Sequence, residues 1–356
     1  MRFEKKEAVL YYSIRMEKVY PEPEKTSLFL FQTMPERIIS TTAGPELEGV
    51  RLDHFLSGRF TYQSRTGWQE IIREGRIAVN GIRVRASRRL HEGDVITFDV
   101  QGIAEPEVDP SYSVVLERPG FLVVSKSGCL PVHPSGCYFR NTLLMLMKER
   151  YGELFVVNRL DRETSGLVVL AKTPETAGLL SGLFASRQME KTYLAAVFGT
   201  FPAGTVVKNG WLSADPASPV RKKRRFTETA PASDDAEPCS TEFTRLKTGG
   251  GYSLVECRPH TGRLHQIRAT LRSCGFPLLG DKLYGPDDTI FLRFTEDAMT
   301  DADRDALVLP TQALHAWRLH FTMPGTGEEI RCESAPPDAM LNLFGPEGPG
   351  FLAAQA

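Results

Sequence analysis

The chain has 356 residues, of which 41% are hydrophobic and 24% are charged, and its formal net charge is −1. That length predicts two domains of roughly 150 residues each, and the ordinary composition excludes a disordered chain, a collagen-like repeat and a coiled-coil rod. The near-neutral total, taken alone, argues against a nucleic-acid partner. We expect no membrane contact, because no apolar run approaches the ~18 residues that a membrane span requires.

The cysteines and the start of the chain both bear on its compartment. Six cysteines lie at scattered spacings without a CxxC pair, and the first 25 residues lack the continuous apolar core of a signal peptide. These patterns disfavour a structural zinc site, a disulfide framework and a secretion signal. We therefore predict a cytoplasmic protein, in a reducing compartment.

Four parts follow one another along the chain. Residues 1–46 are predicted to be an N-terminal extension with no assigned function, in which Leu28–Phe31 is a short strand. Residues 47–105 are predicted to form a compact module. A proline-containing linker over 106–111 then leads to a larger domain over 112–345.

The module over 47–105 combines two helices with a hairpin. Apolar spacing predicts a helix over Arg51–Phe60, and a second helix that begins at a capping box of Thr66 and Gln69. The dipeptide Asn80-Gly81, between alternating apolar residues, indicates a β-hairpin.

Arginine is concentrated in this module to a degree that the total charge conceals. Between residues 73 and 89 lie six arginines and one acid, a local charge of +5; the arginines are Arg73, Arg76, Arg83, Arg85, Arg88 and Arg89. The planar guanidinium suits phosphate oxygens and base edges. The cluster is therefore either a solvated basic face or a nucleic-acid contact surface.

Residues 50–98 resemble the S4-type RNA-binding domain. The resemblance lies in the pattern RLDxFL…SRTGWQEIIREGRIAVNG…LxEGDVI. It implies that the module binds structured RNA, without catalysing a reaction. On this reading the six arginines are the predicted RNA contacts.

The domain over 112–345 is rich in β-like runs, with fewer helical stretches. Helices are predicted over Thr142–Tyr151, Pro174–Phe184 and Leu264–Cys274. The pattern favours an α+β fold, a mainly antiparallel β-sheet with flanking helices beside the small α/β module. Two insertions are predicted: a mobile loop at 215–240 that contains the basic run 221–225, and an acidic surface segment at 286–310 with a charge of −5.

Asp161 lies in a polar turn between two apolar strands, within the sequence VVNRLDRETSGLVVL. The adjacent Arg159 and Arg162 are predicted to lower the pKa of its carboxyl group and keep it ionised. An ionised, positioned aspartate acts as a nucleophile or a general base. The alternative is a salt-bridged aspartate that braces the turn.

A second polar segment joins a strand over 252–257 to the predicted helix over 264–274. Leu264, Ile267 and Leu271 are assigned to the buried face of this helix, and His265, Arg268 and Arg272 to another face. Together with Arg263, the start of the helix is a predicted phosphate-docking point. The His-x4-His pairs lack carboxylate or cysteine partners at ligand spacing, so we predict no metal site.

Four blocks of the larger domain, in order, resemble the RluA-type family of RNA pseudouridine synthases. They are FLVVSKSGCLPVHPSG (121–136), RLDRETSGLVVLAK (159–172), TGRLHQIRATLRSCGFPLLGDKLYG (261–285) and ALHAWRLHFTMPGTG (313–327). The resemblance implies an isomerase that converts uridine to pseudouridine in RNA. The family acts on ribosomal RNA and on some transfer RNA.

The resemblance also assigns site residues. It implies that Asp161 is the nucleophile, that Tyr193 stacks on the target base, and that Arg268 pairs with Asp161. Arg159 is implicated in positioning RNA, and Arg162, Arg263 and His265 are further predicted RNA contacts. One position departs from the family pattern: Asn158 stands where the family usually has His, which leaves the subfamily and the substrate open.

The implied reaction breaks the N-glycosidic bond, rotates uracil and rejoins it through carbon, so it requires no cofactor. The absence of GxGxxG and GxxxxGK[ST] motifs agrees with this expectation. A target uridine in structured RNA must be flipped out before a carboxylate reaches it. Ribosomal RNA is the favoured substrate and transfer RNA the next, and we expect a monomer.

Three alternatives remain open at this stage. The chain could be a non-catalytic RNA-binding factor, for which Asn158 is the one supporting residue. It could be a glycosidase that uses Asp161, which would need a second carboxylate such as Glu163. The run 221–225 is also a nuclear localisation pattern, although we favour phosphate contact.

Overall fold

The computed structural model describes residues 38–60, 64–99 and 105–345. Its N-terminal unit contains β1 (Ile38–Thr42), α1 (Leu52–Arg59), α2 (Arg65–Arg73), β2 (Ile77–Val79), β3 (Ile82–Arg83) and β4 (Val95–Asp99). The strands form an antiparallel sheet in the order β1-β4-β2-β3. This sheet thus takes its first strand from residues upstream of the predicted boundary at 47. The strand predicted at Leu28–Phe31 lies outside the described residues.

Trp68 of α2 is fully buried in the core of this unit. Its ring packs edge-on against Phe98 of β4, with the ring centroids 5.4 Å apart. The predicted hairpin is confirmed, since Asn80 and Gly81 take the positive φ angles that a tight turn requires. The predicted capping box is wrong: Ser64 caps α2 by accepting a hydrogen bond from the Gly67 amide at 3.1 Å.

The larger unit is built on one eleven-stranded sheet in the order β11-β10-β12-β13-β9-β14-β8-β6-β5, with β15 and β7 paired to β14 and β8. Its strands are β5 (Tyr112–Glu117), β6 (Phe121–Lys126), β7 (Phe155–Val156), β8 (Ser165–Ala171), β9 (Glu190–Phe198), β10 (Thr205–Ala214), β11 (Arg224–Thr227), β12 (Glu237–Gly249), β13 (Tyr252–Pro259), β14 (Leu314–Thr322) and β15 (Glu329–Glu333). Its helices are α3 (Leu143–Tyr151), α4 (Pro174–Ala185), α5 (Gln266–Ser273), α6 (Thr289–Thr295), α7 (Asp301–Leu307) and α8 (Asp338–Leu341).

This architecture confirms the predicted α+β fold with a mainly antiparallel sheet. Among the pairs of named strands, β8 and β14 alone are parallel. Every residue of β8 is buried, because helices and loops cover both faces of the sheet there. In the described part of the chain, no helix is both long and apolar enough to cross a membrane.

The strand order brings distant segments together at the centre of the sheet. The turn that precedes β8 lies beside β14, which also pairs with β9. Strand β9 pairs in turn with β13, which leads directly into the turn before α5. As a result, the polar turn of Asp161, the strand of Tyr193 and the start of α5 meet at one place.

The segment 215–240 was predicted to be a mobile loop, and this is wrong. Its residues form β11 and the start of β12, and β11 pairs with β10. Lys223 is buried between the carboxylates of Asp215 and Asp288, and Arg224 is 2.7 Å from Asp235. Lys223 and Arg224 of the basic run therefore bind acids of the chain itself, which fix this part of the run in place.

The acidic segment 286–310 is likewise ordered and contains α6 and α7. A capping box of Thr300 and Asp303 begins α7. Arg293 of α6 binds Asp303 at 2.5 Å and Asp287 at 3.0 Å, so part of the local negative charge is neutralised internally. Asp288 reaches across to Lys223, and the two insertions thus bind each other.

Candidate active site

Asp161 lies in the turn between β7 and β8, and its side chain is 28% exposed. The Thr164 amide donates to the Asp161 carbonyl at 3.1 Å and closes the turn. The carboxylate oxygen Oδ2 accepts a hydrogen bond from Arg268 Nη1 at 2.6 Å. Burial alone would raise the pKa of the Asp161 carboxyl, but its neighbours, the Arg268 guanidinium first among them, together hold this pKa below its ordinary value.

The predicted partners of Asp161 were its sequence neighbours, and this is wrong. No ion pair joins it to Arg159 or Arg162 among the described residues, whereas Arg268 lies 107 residues away in sequence. Pairing of Arg268 with Asp161, which the family resemblance implied, is what the structure contains.

Arg268 is buried in α5 and held from two directions. Its Nε and Nη2 atoms donate to the two oxygens of Asp281 at 2.7 and 2.9 Å, a bidentate contact that leaves Nη1 for Asp161. Asp281 is fully buried and also accepts hydrogen bonds from the amides of Leu283 and Tyr284. Arg268 therefore presents a fixed positive charge to Asp161.

The assignment of residues to the buried and exposed faces of α5, made from their spacing, is partly wrong. Arg272 is exposed as predicted, but Arg268 is buried, and Leu264 is 43% exposed although it was assigned to the buried face. The helix begins two residues later than predicted, at Gln266, directly after His265, whose backbone is left-handed with φ of 57°. Leu264 therefore precedes the helix and does not lie on its buried face.

Tyr193 stands on β9 at the wall of a cleft with a volume of about 110 Å³. Asp161, Arg268 and His265 line the same cleft. Burial raises the pKa of the Tyr193 phenol, which is therefore neutral. The cleft thus combines a flat neutral aromatic ring with an ionised carboxylate.

Three cationic side chains border this cleft. Arg159 is exposed, Arg263 is partly exposed and pairs with Glu237 at 2.9 Å, and Lys191 lies 5.3 Å from the centre of the Phe184 ring. Burial lowers the pKa of the Lys191 ammonium. Arg159 and Arg263 are predicted RNA contacts, and both line the cleft.

Arg162, also predicted as an RNA contact, is placed away from the cleft. Its guanidinium donates to the Tyr138 hydroxyl at 2.6 Å and to Glu163 at 2.7 Å. It is also 5.0 Å from the centre of the Phe294 ring. Glu163, the second carboxylate that a glycosidase would need, binds Lys282 at 2.9 Å and does not line the cleft.

Lys126 anchors the turn that contains Asp161. Its side chain is buried, and its ammonium donates to the backbone carbonyls of Ser127, Arg162 and Thr164. Burial lowers the pKa of Lys126 to about 7. The position of the Asp161 turn therefore depends on a charged group of β6.

Asn158, which departs from the family pattern, and His315, in the block over 313–327, both have hydrogen-bond partners within the chain. Asn158 Oδ1 accepts a hydrogen bond from the Val169 amide at 2.7 Å, and so ties the turn to β8. His315 is buried, with Nδ1 2.9 Å from Ser165 Oγ and Nε2 2.8 Å from the Ser334 carbonyl. Within the described residues, no group of three His, Cys, Asp or Glu side chains is arranged to hold a metal.

The six arginines of the N-terminal unit are mostly exposed. Arg73, Arg83, Arg85, Arg88 and Arg89 are exposed, and Arg76 is half-buried with its Nε donating to the Asp99 carbonyl at 3.2 Å. The side chains of Arg83 and Arg85 have no ion-pair or hydrogen-bond partner among the described residues, whereas Arg88 lies 3.6 Å from Asp94. The guanidinium groups of Arg83 and Arg85 are thus free to bind another molecule.

Comparison with known proteins identifies the family. The model for RNA pseudouridylate synthases matches residues 120–273, and the S4 domain model matches residues 50–96. The chain is 30% identical over 321 residues to an uncharacterized RNA pseudouridine synthase, YlyB, of Bacillus subtilis, covering 86% of this chain and 97% of that protein. The chain belongs to the RNA pseudouridine synthase family. The synthase is therefore an isomerase with an N-terminal S4 domain, as predicted.

Other relatives differ in the RNA that their names specify. Ribosomal large subunit pseudouridine synthase D of Nitrosomonas europaea is 30% identical, over 87% of the synthase and 88% of that protein. The mitochondrial tRNA pseudouridine(32) synthase of Saccharomyces cerevisiae is 33% identical, over 68% of the synthase and 51% of that protein. The structure of human RNA pseudouridylate synthase domain containing 1 superposes with a TM-score of 0.52 at 24% identity, over 66% of this chain and 87% of that one, and shows the shared fold.

Several residues that build the site were missed by the sequence analysis. Asp281, Tyr284 and Lys282 lie in the quoted block over 261–285, and Lys126 lies in the block over 121–136, but none was singled out. All four are buried charged or polar groups. Sequence offers one weak signal for them, which is a polar residue inside an otherwise apolar run.

Proposed function

We propose that the synthase isomerises specific uridines in structured RNA, with the Asp161 carboxylate acting at the ribose of a flipped-out nucleotide. The observation that carries this proposal is the contact between Asp161 and Arg268 in the cleft that Tyr193 lines. A carboxylate paired with a fixed guanidinium is ionised at neutral pH, which both a nucleophile and a general base require.

Access to Asp161 requires the base to leave its helix. The carboxylate lies in a cleft and its side chain is 28% exposed, so it cannot reach a uridine stacked within a duplex. Flipping costs a few kcal/mol, which stacking on an aromatic ring and phosphate contacts offset. Tyr193 would supply the stacking, and Arg159, Lys191 and Arg263 at the border of the cleft would bind the flanking phosphates.

Ribosomal RNA is the substrate class that we propose. The support is the extent of the likeness: the synthase spans 88% of a relative named for the large ribosomal subunit but 51% of one named for transfer RNA. An S4 domain with the exposed Arg83 and Arg85 adds a second surface for structured RNA. We further propose that the synthase acts as a monomer in the cytoplasm and needs no cofactor.

A tritium-release assay tests the function. Uridine in RNA carries tritium on C5, the ring carbon that takes the place of N1 in the bond to ribose. Isomerisation therefore releases tritium into water. We expect release from a ribosomal RNA transcript with the wild-type synthase and none with Asp161→Asn, although both bind the RNA. Binding by the wild type without any release would instead favour a non-catalytic RNA-binding factor, and release from transfer RNA alone would reverse the substrate assignment.

A further inference from the structure

His265 stands at the wall of the cleft, beside Asp161. Its side chain is 7% exposed, and its Nε2 atom is 3.9 Å from Asp161 Oδ1, which is longer than a hydrogen bond. Its backbone is left-handed, a conformation that favours glycine. A bulky residue in such a conformation at a functional site suggests that its side chain is needed there.

The hydrogen bonds of Tyr284 determine which nitrogen of His265 carries the proton. The Tyr284 hydroxyl accepts from the Arg224 amide at 2.7 Å and lies 3.0 Å from His265 Nδ1. Tyr284 is 1% exposed, and Nδ1 is the one acceptor for its hydroxyl proton among the described residues. Tyr284 therefore donates to Nδ1, so a neutral ring has its own proton on Nε2.

The charges around His265 favour this neutral ring. Asp161 and Asp281 attract a second proton, whereas Arg268 and Lys222 repel it. Burial, with the help of Arg268, lowers the pKa of His265 to about 4. Nε2 thus carries a hydrogen at neutral pH that faces the cleft and has no acceptor within hydrogen-bond distance among the described residues.

We propose that His265 is a further catalytic residue, a neutral Nε2–H donor to a carbonyl oxygen of uracil while the base is detached from the ribose. The proposal rests on the proposed function, because it concerns the same cleft and the same reaction. It replaces the earlier assignment of His265 as a phosphate contact, since a neutral imidazole offers no positive charge.

The reaction creates the charge that such a donor stabilises. When the C1′–N1 bond breaks, its electron pair remains on uracil and spreads to the ring oxygens. The open valence of C1′ is filled by an Asp161 oxygen, or by a double bond to C2′ after Asp161 takes the 2′ proton. As C5 bonds to C1′, the C1′–oxygen bond to Asp161 breaks and frees the carboxylate, or the C1′–C2′ double bond is consumed as Asp161 returns the proton to C2′. C5 then loses a proton and N1 gains one, so His265 keeps its proton throughout. A donor fixed in place stabilises the uracil anion without reorganisation.

Single-turnover pseudouridine formation on ribosomal RNA tests the proposal through two substitutions and a control. His265→Ala should lower the rate constant about 10²–10³-fold with RNA affinity unchanged. His265→Gln places an amide N–H near the former Nε2 position and should recover about tenfold of this reduction. His260→Ala, an exposed histidine five residues earlier, should leave the rate unchanged.

Two kinetic outcomes would overturn the proposal. One is a wild-type rate constant in His265→Ala. The other is a His265→Gln rate no better than that of His265→Ala, together with weakened RNA binding, which would restore the role of phosphate contact. If the wild type itself makes no pseudouridine, the proposed function fails, which is distinct from either result.

Nitrogen NMR of the full-length synthase with labelled histidine provides a readout that does not depend on turnover. His265→Gln assigns the signal. We expect a neutral ring with hydrogen on Nε2 at pH 7, and a loss of this preference in Tyr284→Phe, which removes the hydroxyl that donates to Nδ1. A ring protonated on Nδ1 or on both nitrogens at pH 7 would overturn the proposal.

Discussion

Asp281 binds the Nε–Nη2 edge of Arg268 and leaves Nη1 for Asp161, so one buried guanidinium joins two carboxylates. Asp281 is fully buried and Arg268 is 7% exposed. Removing one partner of a buried ion pair costs more than the pair itself contributes, because the remaining charge is left without compensation. Asp281 therefore governs both the stability of this region and the position of the charge that faces Asp161.

Asp281→Ala should lower the free energy of unfolding by about 3–5 kcal/mol, as measured by urea denaturation. The same substitution should lower turnover, because Arg268 is no longer held against Asp161. Asp305→Ala removes an exposed carboxylate from α7 and serves as the control, with no change expected in either quantity. Wild-type stability and turnover in Asp281→Ala would show that Arg268 is positioned without Asp281.

Helix α5 shows how far the sequence can predict this site. Its existence and its apolar residues Ile267 and Leu271 follow from spacing. Spacing could not show which arginine is buried, because the deciding partner, Asp281, lies in a turn 13 residues later, outside any periodic pattern. The contact of Arg268 with Asp161 followed from resemblance to a family, not from the residues alone.

The two insertions show a second limit of prediction from the sequence. Their charge runs predict a mobile loop at 215–240 and an acidic surface segment at 286–310. Lys223 is nevertheless buried, since Asp288 of the other insertion and Asp215 neutralise it. Charge counted along the chain cannot reveal which acids meet which bases in space.

The rate of pseudouridine formation should not depend on pH between about 5 and 6, which lies below the pKa of Lys126 at about 7. Asp161 must be ionised, and Arg268 holds the pKa of its carboxyl below its ordinary value, so this carboxyl is ionised throughout this range. Single-turnover rates measured across this range, with RNA binding checked at each pH, test this expectation. An inflection within this range would contradict it and would indicate that a group other than the Asp161 carboxyl titrates there.

The lowered pKa of the Asp161 carboxyl also makes the stability of the fold depend on pH. A carboxyl whose pKa is lower in the folded state stabilises the fold above its unfolded pKa, and this contribution is lost as the pH falls through the folded value. Asp161 and Asp281 both have lowered pKa values. Unfolding that begins only below about pH 4 in circular dichroism would therefore agree with the flat rate profile.

Arg83 and Arg85 should contribute to RNA binding by pairing with backbone phosphates. Both side chains are exposed and unpaired among the described residues, so their replacement by glutamine should not disturb the fold. In R83Q/R85Q the slope of log Kobs against log salt concentration should flatten by about 0.7–0.9 for each phosphate that is no longer neutralised. The control is Arg331→Gln, an exposed arginine of β15 paired with Glu329. An unchanged slope would exclude these two arginines from the RNA interface.

Lys223 and Arg225, two residues apart in the basic run, should differ in their effects. Lys223→Ala removes a buried ammonium from two carboxylates and should lower the free energy of unfolding by about 1–3 kcal/mol. Arg225 is exposed, so Arg225→Ala should preserve stability and weaken RNA binding in low salt. Denaturation and binding measured on both variants check this division. If Lys223→Ala kept full stability, the basic run would not be anchored as described.

The most direct test of the account is site-resolved pseudouridine mapping in cells that lack the gene. Cells complemented with the wild-type synthase should regain pseudouridine at a few uridines of structured RNA. Cells complemented with Asp161→Ala, at equal protein level and with RNA binding intact, should regain none. Pseudouridine restored to wild-type levels by Asp161→Ala would contradict the assignment of the Asp161 carboxylate to the reaction.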